Sequence, residues 1–138
     1  MAIRVSYHKV KFRLESSTRI KAWINNVISE EGKFTGEISV VFSDNESILE
    51  INKEFLKHDY YTDVISFNYS KGDIIEGEIY ISIDKVKENA LEYGDGIKRE
   101  TMRVIIHGVL HLLGYNDSTK NEIKNMRRAE EKYLAFID

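Results

Sequence analysis

Residues 107 to 117 read HGVLHLLGYND, which places two histidines four residues apart in an otherwise apolar run. At about 100° per residue, the surrounding helical segment carries a broad apolar stripe on one side. The stripe consists of Met102, Ile105, Ile106, Val109, Leu110 and Leu113. His107 and His111 lie together, roughly 150° from the centre of the stripe. The pattern predicts a helix that packs on the domain through its stripe and lines a cleft with its histidines.

This spacing favours a metal site. Two imidazoles at positions i and i+4 can converge on one cation, and Gly108 between them leaves room for a ligand or a neighbouring chain. Gly114 suits a left-handed helix cap, after which the chain can reverse and return Asp117 towards the histidines. Three nitrogen and oxygen ligands with an open fourth position are typical of a catalytic divalent site.

A simpler interpretation remains open at this point. A histidine pair at this spacing is often only the polar edge of a helix, and Asp117 could cap the helix that follows. Ser118, or Thr119 with Glu122, could also cap that helix, so Asp117 is not required for this task. The stretch alone therefore leaves two alternatives, a metal site and a polar helix edge.

Composition limits the class of protein. The chain has 138 residues, enough for one domain with a buried core, and we expect a single domain over residues 1–138. Its formal charge of −3 argues against binding nucleic acid mainly through bulk charge. The absence of cysteine excludes disulfides and thiolate metal sites and fits a reduced, cytoplasmic setting. We expect neither a signal peptide nor a membrane span, because no apolar run is long enough.

Hydrophobic periodicity predicts the remaining elements. A capping box of Ser43 with Glu46 is expected to open a helix that buries Ile48, Ile51 and Phe55. The other predicted helices cover residues 16–31, 84–93, 97 onward and 118 to the C-terminus, and the predicted strands cover 37–43, 63–69 and 77–83. The expected fold is therefore α+β: a small mixed sheet of three or four strands packed with about five helices, the histidine helix being central.

Three blocks of the sequence resemble the YbeY family of bacterial metal-dependent endoribonucleases, which act in ribosomal RNA maturation. HGVLHLLGYND resembles the family signature HGxLHLxGYDH. INKEFLKHDYYTDVISF (51–67) is similar to the family's LNxxYRxxDxPTDVLSF, and EGEIYISIDKVKENALEYG (76–94) is similar to its LGDIVIS segment and following helix. The blocks keep the family's order and spacing from about residue 37 to residue 117.

The resemblance implies an α+β fold whose ligand helix packs on the sheet. It implies one divalent ion, with zinc expected, held by His107, His111 and Asp117. It also implies hydrolysis of single-stranded RNA by a metal-activated water in small-subunit rRNA maturation and ribosome quality control. Ribosomal RNA and small-subunit ribosomal proteins are the expected partners. The resemblance identifies no general base and leaves the oligomeric state unknown.

Two departures from the family pattern bear on the chemistry. The family's third histidine falls on Asp117, whose negative charge should weaken the metal as a Lewis acid and favour a harder ion. The family's arginine falls on Leu56, which cannot bind phosphate. Lys57 or His58 could meet the phosphate charge in its place.

Further candidate RNA contacts surround these blocks. Thr62, Asp63 and Ser66 are candidates for lining the cleft, although each could instead satisfy backbone groups at a strand end. An aromatic cluster could stack on unpaired bases, with Phe67 expected in the core. This cluster comprises Tyr60, Tyr61, Phe67 and Tyr69.

The last helix carries a basic stripe that phosphate could meet. The stripe is formed by Lys120, Lys124, Arg127 and Arg128. Most such stripes are plain solvated helix faces, and Glu130 and Glu131 dilute this one. The solvated face is therefore the preferred interpretation of this stripe.

Two other functions are compatible with these residues. A ribosome-assembly factor that binds RNA, with a mainly structural metal, gains from the absence of the third histidine and the arginine. A metallopeptidase-like hydrolase is the second rival. The HExxH arrangement carries its general base at the position of Gly108, so a peptidase here would need a base from elsewhere.

Overall fold

The protein is described here by a computed structural model that covers residues 2–58 and 62–137. Four strands and five helices lie within those ranges. In chain order they are β1 Ala2–Tyr7, α1 Ser17–Glu30, β2 Phe34–Ser43, α2 Asn45–Leu56, β3 Val64–Asn68, β4 Ile74–Ser82, α3 Ile83–Tyr93, α4 Ile97–Leu112 and α5 Lys120–Leu134. Tyr60 and Tyr61, two of the predicted stacking residues, lie outside the described residues.

The sheet is mixed, with the strand order β1-β2-β4-β3. β2 runs parallel to both β1 and β4, and β3 runs antiparallel to β4. The alternating residues of β2 and β4 are buried, as their period of two requires. They are Ile38, Val40, Phe42, Ile75, Ile79 and Ile81. The predicted α+β fold, with a small mixed sheet and about five helices, is confirmed.

Helix α2 differs from its prediction at both ends. Its cap is Asp44, whose carboxylate accepts a hydrogen bond from the Ser47 backbone amide, whereas Ser43 ends strand β2. The capping box of Ser43 with Glu46 was therefore wrong by one residue. Ile48 is fully buried as expected, but Phe55 is 61% exposed. The Phe55 ring contacts the edge of Phe67 instead of entering the core.

Helix α4 lies at the centre of the structure, in contact with α3, α5, β3 and β4. Gly108 packs closely against the sheet. A Cβ atom there would lie 2.7 Å from Ile79 Cγ2 and 3.3 Å from Ser66 Oγ. The room left by Gly108 is therefore filled by the sheet, and Ser66 Oγ donates a hydrogen bond to the Gly108 carbonyl at 3.2 Å.

We expect Gly108→Ala to destabilise the fold. Alanine favours a helix interior by about 1 kcal/mol over glycine, but its methyl group would overlap Ile79, which is fully buried and cannot move aside. Overpacking of this kind costs about 1–3 kcal/mol, so the free energy of unfolding in urea should fall by roughly 1 kcal/mol. Gly96→Ala is the control, because its methyl group would meet nothing within 4 Å. If Gly108→Ala were as stable as Gly96→Ala, the close packing of Gly108 against Ile79 would be contradicted.

No helix within residues 2–58 and 62–137 is both long enough and apolar enough to cross a membrane.

Candidate metal centre

His107 and His111 lie one turn apart on α4, with their side chains 25% and 26% exposed. The two rings meet edge to face, and their Nε2 atoms are 3.0 Å apart. They are therefore neither core residues nor free surface residues. They stand at the margin of the buried stripe of α4, and His107 lines a cleft, as the helical wheel predicts.

The turn after α4 brings Asp117 to the histidines. Gly114 adopts a φ of 98°, which permits the chain to reverse and lets the Tyr115 amide donate to the Leu110 carbonyl. Asp117 Oδ2 then lies 3.3 Å from both His107 Nε2 and His111 Nε2. The structure thus brings together the three residues predicted as ligands. Among the described residues they are the one group of at least three potential ligands close enough to share an ion.

Asp117 is not the cap of α5. Thr119 Oγ1 accepts from the Glu122 amide at 3.1 Å, and Glu122 Oε1 accepts from the Thr119 amide at 2.9 Å. This is the capping box that the sequence allows. Because the cap is complete without Asp117, the aspartate carboxylate is left to face the histidines.

The second nitrogen of each histidine has its own partner. His111 Nδ1 lies 3.0 Å from the Tyr115 carbonyl oxygen, which can only accept, so we assign the proton of His111 to Nδ1. His107 Nδ1 lies 2.7 Å from Oε2 of Glu130, a carboxylate that is only 5% exposed. Burial acts to lower the pKa of His107, but the hydrogen bond and charge of Glu130, together with the charges of Asp63 and Asp117, outweigh it, so the pKa is raised.

The donor set fits a divalent ion. With both protons on Nδ1, the two Nε2 lone pairs face each other at 3.0 Å, and they repel unless a proton or a metal ion lies between them. A tetrahedral ion with ligands at about 2.0–2.1 Å places its ligand atoms about 3.3 Å apart. The three observed separations of 3.0, 3.3 and 3.3 Å match this spacing. Carboxylate and carbonyl partners on Nδ1 are also the usual supports of metal-binding histidines.

Arg103 pairs with Glu130, the carboxylate that contacts His107. Its guanidinium lies 3.4 Å from Glu130 Oε1, 3.1 Å from Glu131 Oε1 and 3.5 Å from Glu100 Oε1. Glu130, expected to dilute the basic stripe of α5, instead turns its side chain inward and is only 5% exposed. The signal was present in the sequence: Glu130 falls on the buried face of α5, next to Ala129 and four residues after Met126.

Glu31, at the end of helix α1, supports His111 indirectly through Tyr115. Glu31, directly after α1, accepts hydrogen bonds from the hydroxyl groups of Tyr115, at 3.0 Å, and Tyr133. Tyr115 in turn presents its carbonyl oxygen to His111 Nδ1. The turn that carries Asp117 is therefore anchored to an element 84 residues away in sequence, which no local pattern could predict.

We expect Tyr115→Phe to weaken zinc binding, because it releases the turn that holds both the His111 partner and Asp117. Loss of such a support typically lowers metal affinity about 10-fold. Tyr133→Phe is the matched control, since it removes a hydroxyl from the same Glu31 carboxylate without touching the turn. Competition with a chromogenic chelator measures both affinities. Equal weakening in the two variants would show that Tyr115 acts only through general stability.

The residues predicted to contact the substrate differ in their exposure and in whether they line the cleft. Asp63 lines the cleft beside His107 and accepts a hydrogen bond from Asn89. Lys57 and His58 follow the last turn of α2 and are exposed, and Thr62 is half-buried. Ser66 is bound to the α4 backbone, as described above. Leu56, at the position of the family's arginine, is 38% exposed.

Two of the predicted stacking residues already contact other side chains of the protein. Phe67 is half-buried and packs edge-on against Phe55 and Tyr80. The Tyr69 hydroxyl donates to Glu78, although the residue is 54% exposed. The basic stripe of α5 is exposed along its length, as its solvated interpretation predicts.

Comparison with known proteins agrees with this architecture. The sequence profile of the family described as Endoribonuclease YbeY matches residues 4–138. The chain belongs to the YbeY endoribonuclease family. Membership of that family, predicted from the three blocks that resemble it, is thereby confirmed.

Similar proteins match nearly the whole chain. The Endoribonuclease YbeY of Bacteroides thetaiotaomicron is 43% identical over 136 residues, which is 99% of each chain. That of Flavobacterium psychrophilum is 44% identical over 130 residues, covering 94% of this chain and 93% of its own. The solution structure of TM1509 from Thermotoga maritima superimposes with a TM-score of 0.67 at 28% identity, covering 96% of this chain and 87% of that one.

Proposed function

We propose that this protein is a metal-dependent endoribonuclease that cleaves single-stranded RNA in the maturation and quality control of the small ribosomal subunit, in the cytoplasm. The observation that carries the metal-dependent part is the triangle of His107 Nε2, His111 Nε2 and Asp117 Oδ2, with sides of 3.0, 3.3 and 3.3 Å. Family membership supports the reaction and the RNA substrate. Ribosomal RNA and small-subunit proteins are the proposed partners.

The residues of the chain would hold and orient the reacting groups. His107, His111 and Asp117 are the proposed ligands, and zinc is the ion proposed for this set of two nitrogens and one oxygen. A bound divalent ion supplies a water molecule of lowered pKa and stabilises negative charge on phosphate. Glu130 and the Tyr115 carbonyl keep the histidine protons on Nδ1, so that both Nε2 atoms remain available as ligands.

The phosphate contacts are proposed on the α2 side of the site. Lys57 and His58 follow Leu56 directly and supply the cationic and hydrogen-bonding groups that leucine lacks. Thr62, Asp63 and Ser66 are proposed to line the RNA path, with Asp63 closest to the centre because it shares a cleft with His107. Ser66 would do so mainly by holding α4 against β3.

A non-catalytic ribosome-assembly factor is the second candidate. The observation in its favour is Leu56, since a nuclease gains from an arginine near the scissile phosphate. In that case RNA would bind without being cleaved, and the ion would act mainly on stability.

Cleavage of a labelled single-stranded RNA by the zinc-loaded protein tests the proposal. The wild type should cut the single strand internally and leave the same sequence intact in a duplex, and Asp117→Ala should lose the activity while keeping its circular dichroism spectrum. RNA bound but uncut by the wild type would favour the assembly factor. Equal cutting by Asp117→Ala would assign the activity to a contaminating nuclease.

A further inference from the structure

A cleft of about 530 Å³ extends from the metal group along α4, between α3 and α5. Its walls include Asn89 and Tyr93 from α3, and Ile123 and Arg127 from α5. His107 stands at one end and Glu100 lies seven residues earlier on the same helix, so the cleft follows α4 for about 10 Å. This length places its far end within reach of a nucleotide next to the one held at the metal group.

The charge of this cleft is unfavourable for phosphate. Six carboxylates line it, against the guanidinium groups of Arg103 and Arg127. The carboxylates are Asp63, Asp95, Glu100, Asp117, Glu130 and Glu131. Arg103 is already paired with three of them. Away from the metal group, the cleft therefore suits an uncharged group of the RNA better than its backbone.

The far end of the cleft offers a surface for a flat, apolar group. Tyr93, at the end of α3, is 66% exposed and lines this end of the cleft, whereas Ile123 lines the cleft from α5 on the side of Asp117. No hydrogen bond or ring contact of the described residues involves the Tyr93 side chain. An exposed aromatic ring beside an RNA site is the usual platform for an unpaired base.

Two carboxylates near this platform have oxygen atoms without a hydrogen-bond donor among the described residues. The Asp95 carboxylate takes part in no hydrogen bond of the described residues, and Asp95 follows Tyr93 by two positions. Glu100 is only 3% exposed and its Oε1 has no hydrogen-bond partner, the Arg103 Nε atom being 3.5 Å away. Carboxylates accept hydrogen bonds from the exocyclic amino group of cytosine, whereas the corresponding atom of uracil is itself an acceptor.

We propose that the part of the cleft beside Tyr93 binds a nucleobase adjacent to the scissile phosphate. The base stacks on Tyr93, and Asp95 accepts a hydrogen bond from its exocyclic amino group. The subsite therefore prefers cytosine over uracil. This inference rests on the proposed RNA substrate and adds to it a base preference and the residues that impose it.

Oligocytidylate and oligouridylate of equal length test the subsite, because they differ at the base edge that Asp95 would contact. The zinc-loaded wild type should cut oligocytidylate with a kcat/KM about tenfold above that for oligouridylate, as one discriminating contact allows. Asp95→Asn should bring the ratio close to one, because the asparagine amide can also donate to uracil. Equal rates for the two substrates in the wild type would overturn the base preference.

Tyr93 variants test the stacking platform. Tyr93→Ala should lower kcat/KM about tenfold on both substrates, and Tyr93→Phe should restore most of the loss because it keeps the ring. Phe34→Ala is the matched control, since Phe34 is 67% exposed on strand β2 and does not line the cleft. An equal loss in Tyr93→Ala and Phe34→Ala would overturn the stacking contact.

Binding to the metal-free protein separates this inference from the proposed function. Fluorescence anisotropy with labelled oligocytidylate should show weaker binding to Tyr93→Ala than to the wild type, whether or not the loaded enzyme cuts RNA. If no RNA is cut but the binding difference is present, the nuclease proposal fails and the subsite stands. If RNA is cut but the wild type and Tyr93→Ala bind oligocytidylate equally, the subsite is ruled out while the nuclease proposal stands.

Discussion

His111→Ala and Asp117→Ala should each purify without a divalent ion, whereas the wild type should retain about one per chain. Each variant removes one of the three ligand atoms that lie within 4.8 Å of one another among the described residues. Two remaining ligands cannot define a tetrahedral site with one open position, so affinity should fall by more than the ~100-fold that loss of a supporting residue costs. Elemental analysis by mass spectrometry on untagged protein measures the metal content directly.

His8→Ala is the control for this measurement, because His8 is exposed and belongs to no candidate metal group among the described residues. It should keep its ion. Loss of the ion in His111→Ala but not in Asp117→Ala would contradict the three-ligand site. Retention in both folded variants would contradict the metal centre as a whole.

The second large effect is expected for Glu130→Ala. The variant leaves His107 Nδ1 without its acceptor at 2.7 Å and removes one partner of Arg103. The His107 ring is then free to turn or to carry its proton on Nε2, where it would block the ligand position. Zinc affinity and RNA cleavage should each fall about 10–100-fold, as for other carboxylates behind metal-binding histidines.

Glu130→Gln separates the hydrogen bond from the charge. The glutamine carbonyl can still accept from His107 Nδ1, so this variant should keep more of the zinc affinity than Glu130→Ala. Glu131→Gln is the matched control, because Glu131 also pairs with Arg103 but does not touch a histidine. A loss in Glu131→Gln as large as that in Glu130→Ala would attribute the effect to Arg103 rather than to His107.

The sequence predicts that His107, His111 and Asp117 lie together, as they do in the structure, because the signals for this grouping are local. The spacing of His107 and His111 follows from helix geometry, and Gly114 marks the point where the chain reverses. The return of Asp117 then needs only a short turn. The same locality explains why Thr119 with Glu122 could be anticipated as the cap of α5.

Residues that act through tertiary contacts were not predicted. Glu31 supports the site from the end of α1, and Glu130 approaches His107 only because α5 packs back on α4. Phe55 was placed in the core from its periodicity, but the last turn of α2 extends beyond the surface that would bury it. Strand β1 was missed although Ile3, Val5 and Tyr7 alternate, a period-two signal that was present in the sequence.

The most direct test of the account is RNA cleavage measured while zinc is titrated into metal-free protein. We predict no cleavage without the ion, a rise in rate that saturates at one equivalent per chain, and no rise for His111→Ala at any zinc concentration that leaves it folded. Cleavage that persists at full rate in the presence of a strong chelator would contradict a metal-dependent endoribonuclease centred on His107, His111 and Asp117.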